Sequence, residues 1–128
     1  MYIIDMLSRV PIYEQIITQT EKFIAAGALK PGDALPSVRS LSLSLHANPN
    51  TVARAFTELD REGIICTVQG KGCFVTQNAK QILKKKAKEK LYDVTALCRE
   101  LIEAGITKDE IIAEINKINT DAQKKGEQ

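Results

Sequence analysis

Apolar residues recur at helical spacing along most of this chain. Ile12, Ile16, Phe23 and Ile24, with Ile17 beside them, predict a helix over about 11–26. Gly27 stands where a C-cap glycine belongs, and Pro31-Gly32-Asp33 marks a turn. Ser37 then fits an N-cap, with Val38, Leu41 and Leu45 as one apolar stripe behind it. The alternation Leu41-Ser42-Leu43-Ser44-Leu45 also suits a strand. The cap, and a second capped helix close behind, favour a helix over about 37–45.

The stretch "HANPNTVARAF" (46–56) opens the next element with a proline between two asparagines. Asn48 suits the N-cap and Pro49 the first helical position, where its missing N–H is no loss and its φ is already helical. This helix runs to about Glu62 and stops at Gly63. "IICTVQGKGCFVT" follows as apolar strand, glycine-rich turn and apolar strand, a β-hairpin over about 64–68 and 73–76 with Gln69-Gly70-Lys71-Gly72 at its tip. In that register Cys66 and Cys73 share a face, diagonally. Residues 78–104 lack proline and glycine, and Leu83, Ala87, Leu91, Val94, Cys98 and Leu101 fall on one stripe, predicting one long amphipathic helix. Gly105 closes it. Thr107 and Glu110 form a capping box for a last helix with Ile111, Ile112, Ile115 and Ile118 on its apolar face, and "KKGEQ" at its end is expected to fray.

The fold class is therefore α+β and mostly helical: a winged helix-turn-helix domain over 1–76, then a two-helix hairpin over 77–128. At 128 residues, 44% hydrophobic and 27% charged, the chain has an ordinary globular composition. Asp5 and Arg9 interrupt the apolar run at the N-terminus, which argues against a secretory signal, and no stretch reaches the roughly 20 apolar residues of a membrane span. Cys66, Cys73 and Cys98 are odd in number and lack C-x-x-C spacing, so a reducing cytoplasm is expected rather than a disulfide or zinc framework. Redox sensing by these cysteines ranks below service as small hydrophobes.

The net charge of +2 decides nothing about partners, because a nucleic-acid footprint is a patch and not a sum. The distribution is more informative. At about 100° per residue, Val52, Phe56 and Leu59 of the third helix face inward, while Asn50, Arg54, Thr57 and Arg61 face outward with Thr51 beside them. Arginine can pair bidentately with guanine and asparagine with adenine, and threonine can bond a base or a phosphate. A recognition helix reads with its N-terminal residues, where Asn50, Thr51 and Arg54 lie. Any surface helix also shows polar groups to water. What tips the balance is company: Ser37 and Arg39 begin the preceding helix, and Lys71 sits at the wing tip, each placed for backbone phosphates.

The segments "GALKPGDALPSVRSLS", "NPNTVARAFTELDREGII" and "QGKGCFV", continuous over about 9–76, closely resemble the DNA-binding domain of GntR-family bacterial transcription regulators. The Asn-Pro-Asn-Thr-Val start and the short tail resemble the YtrA subfamily. The resemblance implies a homodimer on an inverted-repeat operator in double-stranded DNA, repressing its own operon, often one encoding an ABC transporter. Carried over by position, it assigns DNA contacts to Ser37, Arg39, Asn50, Thr51, Arg54, Gly70, Lys71 and Gly72. The chain departs from the family at Ala53, where many members carry a basic or polar residue, which moves the expected base readout toward Arg54. Cys73 also departs from the usual serine, threonine or tyrosine.

The C-terminal stripes, Leu91, Val94, Leu97, Leu101, Ile111, Ile115 and Ile118, are expected to bury themselves against a second copy in an isologous contact. A lone helical hairpin is too small to wall off a ligand pocket, although an unidentified small-molecule effector at a dimer interface is compatible with repression. The lysine run at 80–90, six lysines against Glu89, reads first as a solvated face and second as extra phosphate contacts. His46 has no partner ligand nearby and belongs to the helix-turn-helix turn. Tyr13 and Phe56 read as core. No Ser/His/Asp set, phosphate loop or paired carboxylates stand out, so no enzyme activity, cofactor or metal is expected. The rival reading is a winged-helix protein-interaction module without DNA.

Overall fold

Local signals dictate where the helices start. The computed structural model describes the backbone of residues 1–126 and the side chains of residues 1–118. Ser37 caps α2 (Val38–Leu45), its Oγ accepting from the Ser40 amide at 3.0 Å. Asn48 caps α3 (Pro49–Arg61), its Oδ1 accepting from the Asn50 amide at 2.8 Å, with Pro49 at the first helical position. Ahead of them, α1 spans Ile12–Ala25. α3 is the centre of the domain and packs against α1, α2 and the first strand. Its inward residues Val52, Ala55, Phe56 and Leu59 join Ile16, Ile24, Leu41, Ile64, Ile65 and Val75 in one buried core. Apart from the small Ala55, each of these side chains contributes about 1.5–3 kcal/mol on burial.

Two helix ends fix how the chain turns. Gly63 follows the C-cap of α3 at φ +80°, and a Cβ there would lie 3.3 Å from Ile82 Cδ1. A side chain at 63 would therefore meet both backbone strain and a neighbour. At the end of α2 the left-handed position is filled by His46 (φ 54°), not glycine. The Ala47 amide reaches back to Ser42 O at 3.0 Å, so the helix-turn-helix turn is a Schellman-type cap.

The wing is β1 (Ile65–Val68) against β2 (Gly72–Val75), antiparallel. Val68 pairs with Gly72, so the tip has three residues rather than the four expected. This shifts the register by one and reverses the cysteine expectation: Cys66 opposes Phe74, while Cys73 opposes Thr67. Cys66 and Cys73 lie on opposite faces, because a one-residue slip moves a side chain to the other face. A third backbone segment joins the sheet: Ala34 bridges Phe74, and the Leu35 amide donates to Cys73 O at 2.9 Å. β1 is tied to α3 through Asp60, whose Oδ2 accepts from both the amide and the hydroxyl of Thr67.

The N-terminal residues, in the sequence only an apolar run broken by Asp5 and Arg9, are strapped to α1. Tyr2 stacks edge-on against Phe23 at 5.2 Å and shares a 2.8 Å hydrogen bond with the buried Thr20 hydroxyl. Burial raises the Tyr2 phenol above its ordinary value, with the Thr20 bond opposing. Gln15 and Gln19 bond the backbone of Asp5 and Ile3 in both directions, as a strand partner would.

The chain divides into two units, Met1–Lys86 and Ala87–Gln128. The first extends past the expected boundary at 76/77. α4 (Ala79–Glu89) begins with the fully buried Ala79, and Ile82 and Leu83 pack on the core. Lys86 Nζ lies 2.9 Å from Glu21 of α1 and 3.0 Å from Glu62 at the end of α3. The expected single helix over 78–104 is two. α4 ends at Glu89 and α5 runs Leu91–Glu103, with the Lys90 amide bonded to Ala87 O, three residues back. No proline or glycine causes the break, and Lys90 itself keeps helical dihedrals (φ −72°, ψ −11°), so the interruption is one tightened turn.

In the second unit, α5 and α6 (Lys108–Gly126) flank a short turn. The capping box forms as expected: the Glu110 amide donates to Thr107 Oγ1 at 3.2 Å and the Thr107 amide to Glu110 Oε2 at 2.8 Å. No side chain of α5 is buried. Val94, Leu97, Cys98 and Leu101 of α5 face Ile111, Ile115 and Ile118 of α6 across a groove of about 570 Å3. That volume is within the range of small-molecule sites, but the walls stay open: Leu97 is 55% exposed and Ile118 70%. The expected frayed end at 124–128 lies partly outside the described residues, and the helical backbone continues to Gly126.

Candidate nucleic-acid interface

All eight candidate DNA contacts belong to the first unit, and all but the half-buried Thr51 are exposed. Three starting points carry them: the N-terminus of α2, the N-terminus of α3 and the hairpin tip.

At α2, the Ser37 oxygen is occupied as an acceptor by the Ser40 amide, which leaves its hydroxyl proton free to donate outward. Arg39 follows in the first turn, exposed, its backbone oxygen accepting from Ser42 Oγ. At α3 the cap takes the Asn50 amide and leaves the Asn50 side chain exposed. The Thr51 amide closes the first turn on Asn48 O at 2.9 Å. Farther along, the polar face is less available than its composition implies. Thr57 donates its hydroxyl to Ala53 O at 2.9 Å, and Arg61 is paired with Glu58 at 3.0 Å. The groups left for a partner are therefore at the start of the helix.

Arg54 holds a position that the sequence did not disclose. Its Cζ lies 3.8 Å from the centroid of the Tyr13 ring. Tyr13 packs partly on the core, as expected, but its ring also serves as a platform for the arginine, and its hydroxyl donates to Glu14 Oε1 at 3.1 Å. Only the contact between α1 and α3 brings residues 13 and 54 together, so no local sequence pattern could have found the pair. Phe56 is buried in the core, as expected.

At the wing tip the Lys71 amide donates to Val68 O at 2.9 Å and closes the turn. Gly70 (φ +79°) and Gly72 (φ +114°) flank it in open space, so backbone conformation and not room demands glycine there. Lys71 is exposed at the tip, between the two strands.

The lysine run divides. Lys84 and Lys85 are exposed, whereas Lys86 is committed to Glu21 and Glu62. Burial pulls the Lys86 ammonium down, but the two carboxylates outweigh it and hold it above the ordinary lysine value. Among the described residues, no group of His, Cys, Asp and Glu could hold a metal ion, and no helix is long and apolar enough to cross a membrane.

Comparison with known proteins agrees with the fold. Residues 12–75 match the family of bacterial regulatory proteins named for gntR. The HTH-type transcriptional repressor YtrA of Bacillus subtilis is 54% identical over 80 residues, 62% of this chain and 62% of its own length, so the match spans less than two thirds of that relative. The regulator YhcF of the same organism is 35% identical over 102 residues, covering 80% of this chain and 84% of its own. Among solved structures, a GntR family transcriptional regulator from Listeria monocytogenes superimposes with a TM-score of 0.72 at 34% identity, over 89% of this chain and 98% of that one. The DNA-binding domain of AraR, solved in complex with operator ORX1, shares the fold at TM-score 0.52 and 26% identity, over 58% of this chain and 92% of that one. These relatives are regulators of transcription and not enzymes, and this chain belongs to the GntR family.

Proposed function

We propose that the chain is a DNA-binding transcriptional repressor acting as a homodimer on an inverted-repeat operator of its own operon, one encoding an ABC transporter. The observation that carries this reading is the start of α3. A capped proline fixes the first turn, and Asn50, Thr51 and Arg54 project from it with side-chain groups that bond base edges. Ser37 and Arg39 contact phosphates from α2, and Gly70, Lys71 and Gly72 follow the backbone or enter the minor groove from the wing. The operator complex of AraR, a relative with the same fold, supports the assignment.

Dimerisation falls to the second unit. Leu91, Val94, Leu97, Leu101, Ile111, Ile115 and Ile118 leave an apolar face that a second copy covers with its own. An unidentified small-molecule effector bound at that interface is compatible with repression.

The test is a nuclease footprint with the duplex upstream of the protein's own reading frame. Protection of two half-sites about one helical turn apart is expected. No protection beyond that of random DNA refutes the reading and favours a protein-interaction module.

A further inference from the structure

We propose that Tyr13 is a positioning residue for Arg54, so that a side chain on α1 sets base specificity without touching a base. The proposal rests on the DNA-reading role given above to α3. A guanidinium has a face and an edge. Cζ stands over the Tyr13 ring at 3.8 Å from the centroid, too close for a nitrogen to come between, so the group lies flat on the ring, and its donors all lie along the edge. Stacking therefore orients the group without consuming a hydrogen bond. Among the described residues Arg54 has no other protein partner, and it is exposed.

The platform is itself fixed. Tyr13 stands in the first turn of α1, half-buried against the core, and its hydroxyl is bonded to Glu14. α1 in turn packs on α3 through Ile16 and Ile24. A long arginine side chain otherwise loses much rotamer freedom on binding. Here part of that freedom is already lost in the unbound protein, and lost in one orientation. A bidentate contact with guanine needs the guanidinium in the plane of the base pair. A pre-set plane favours that contact over any single hydrogen bond a wrong base could offer. The Ala53 side chain beside it, a lone methyl, can supply no alternative donor.

The probe is a duplex selected by the wild-type chain from a randomised pool, measured against a scrambled duplex of equal length. Tyr13→Leu keeps an apolar side chain but removes the ring's quadrupole. It should weaken binding of the selected duplex about two- to five-fold, leave the scrambled duplex unchanged, and broaden preference at one base pair. Tyr13→Phe keeps the ring and should match wild type. In an Arg54→Ala background, Tyr13→Leu should add no further loss. Wild-type binding by Tyr13→Leu where Arg54→Ala is impaired overturns the positioning role alone, as does equal weakening on both duplexes. An Arg54→Ala variant that binds both duplexes like wild type overturns the base-reading role as well. If Tyr13→Leu does not fold, the free wild-type protein still decides: ring current should move the Arg54 side-chain protons upfield, and random-coil shifts overturn the proposal.

Discussion

Lys86→Met should destabilise the first unit by about 1–1.5 kcal/mol at low salt. The substitution keeps most of the stem and removes the ammonium that Glu21 and Glu62 share at 2.9 and 3.0 Å. An exposed ion pair contributes about 0.2–1 kcal/mol. Here the side chains of Lys86, Glu21 and Glu62 are 39%, 20% and 36% exposed, so solvent screens the pairs only in part. Two pairs near the upper end of that range, discounted for exposure, give the figure stated. At 1 M salt, where the screening length is about 3 Å, roughly half of the loss should vanish. Urea titrations of wild type and variant at both salt levels measure this, and a difference under about 0.3 kcal/mol at low salt, or one indifferent to salt, refutes the clasp. The pH dependence has a definite sign. The two carboxylates hold the folded-state ammonium above its ordinary value of 10.5, so the folded chain binds this proton more tightly than the unfolded chain. The contribution of this proton is present at neutral pH and is lost as pH rises from about 10.5 through the folded value. In DNA binding, Lys86→Met should leave the salt slope unchanged, while neutralising Lys84 and Lys85 flattens it by about 0.9 log unit for each phosphate contact they make.

Asn48→Ala removes the cap on the Asn50 amide and should cost about 1 kcal/mol in thermal unfolding; an unchanged midpoint would show that Pro49 alone sets the helix start. His46→Gly relieves a left-handed residue at φ 54° and should stabilise by about 0.5 kcal/mol after the added freedom of the unfolded chain is deducted, whereas destabilisation in urea would mean that the imidazole does something the backbone does not reveal. Leu97→Lys combined with Ile115→Lys should convert a dimer to a monomer by light scattering at micromolar concentration, with helical circular dichroism retained; a wild-type monomer under those conditions sinks the dimer proposal outright.

Features governed by neighbours in sequence could be read from the sequence, and features governed by parity or tertiary contact could not. Ser37, the Asn48-Pro49 pair and the Thr107–Glu110 box placed three helix starts because a cap is a bond within three residues. The wing was recognised from its glycines, yet its register depends on whether Gly72 belongs to the tip or the strand. That one residue decided which face Cys73 takes. The break at Lys90 has no proline or glycine to announce it, and its residue keeps helical dihedrals. The strap of residues 2–5 on α1, the Ala34 bridge, the Lys86 clasp and the Tyr13 platform all join residues distant in the chain. For the candidate site this means that the inventory of groups was legible, and their availability was not. Thr57 and Arg61 looked as free as Asn50 until their partners were known.

The place where α4 changes allegiance has a consequence for exchange between relatives. Ala79, Ile82, Leu83 and Lys86 complete the first unit from within a helix whose remainder belongs to the second. A chimaera joined at Thr76, the visible end of the wing, would set a foreign helix against this core and leave Glu21 and Glu62 without their cation. A chimaera joined just after Lys86 carries the clasp along with the domain it closes. Recombination that swaps one regulator's tail for another's should therefore succeed most often at a seam inside a helix, where a loop-based view of domain borders would never look.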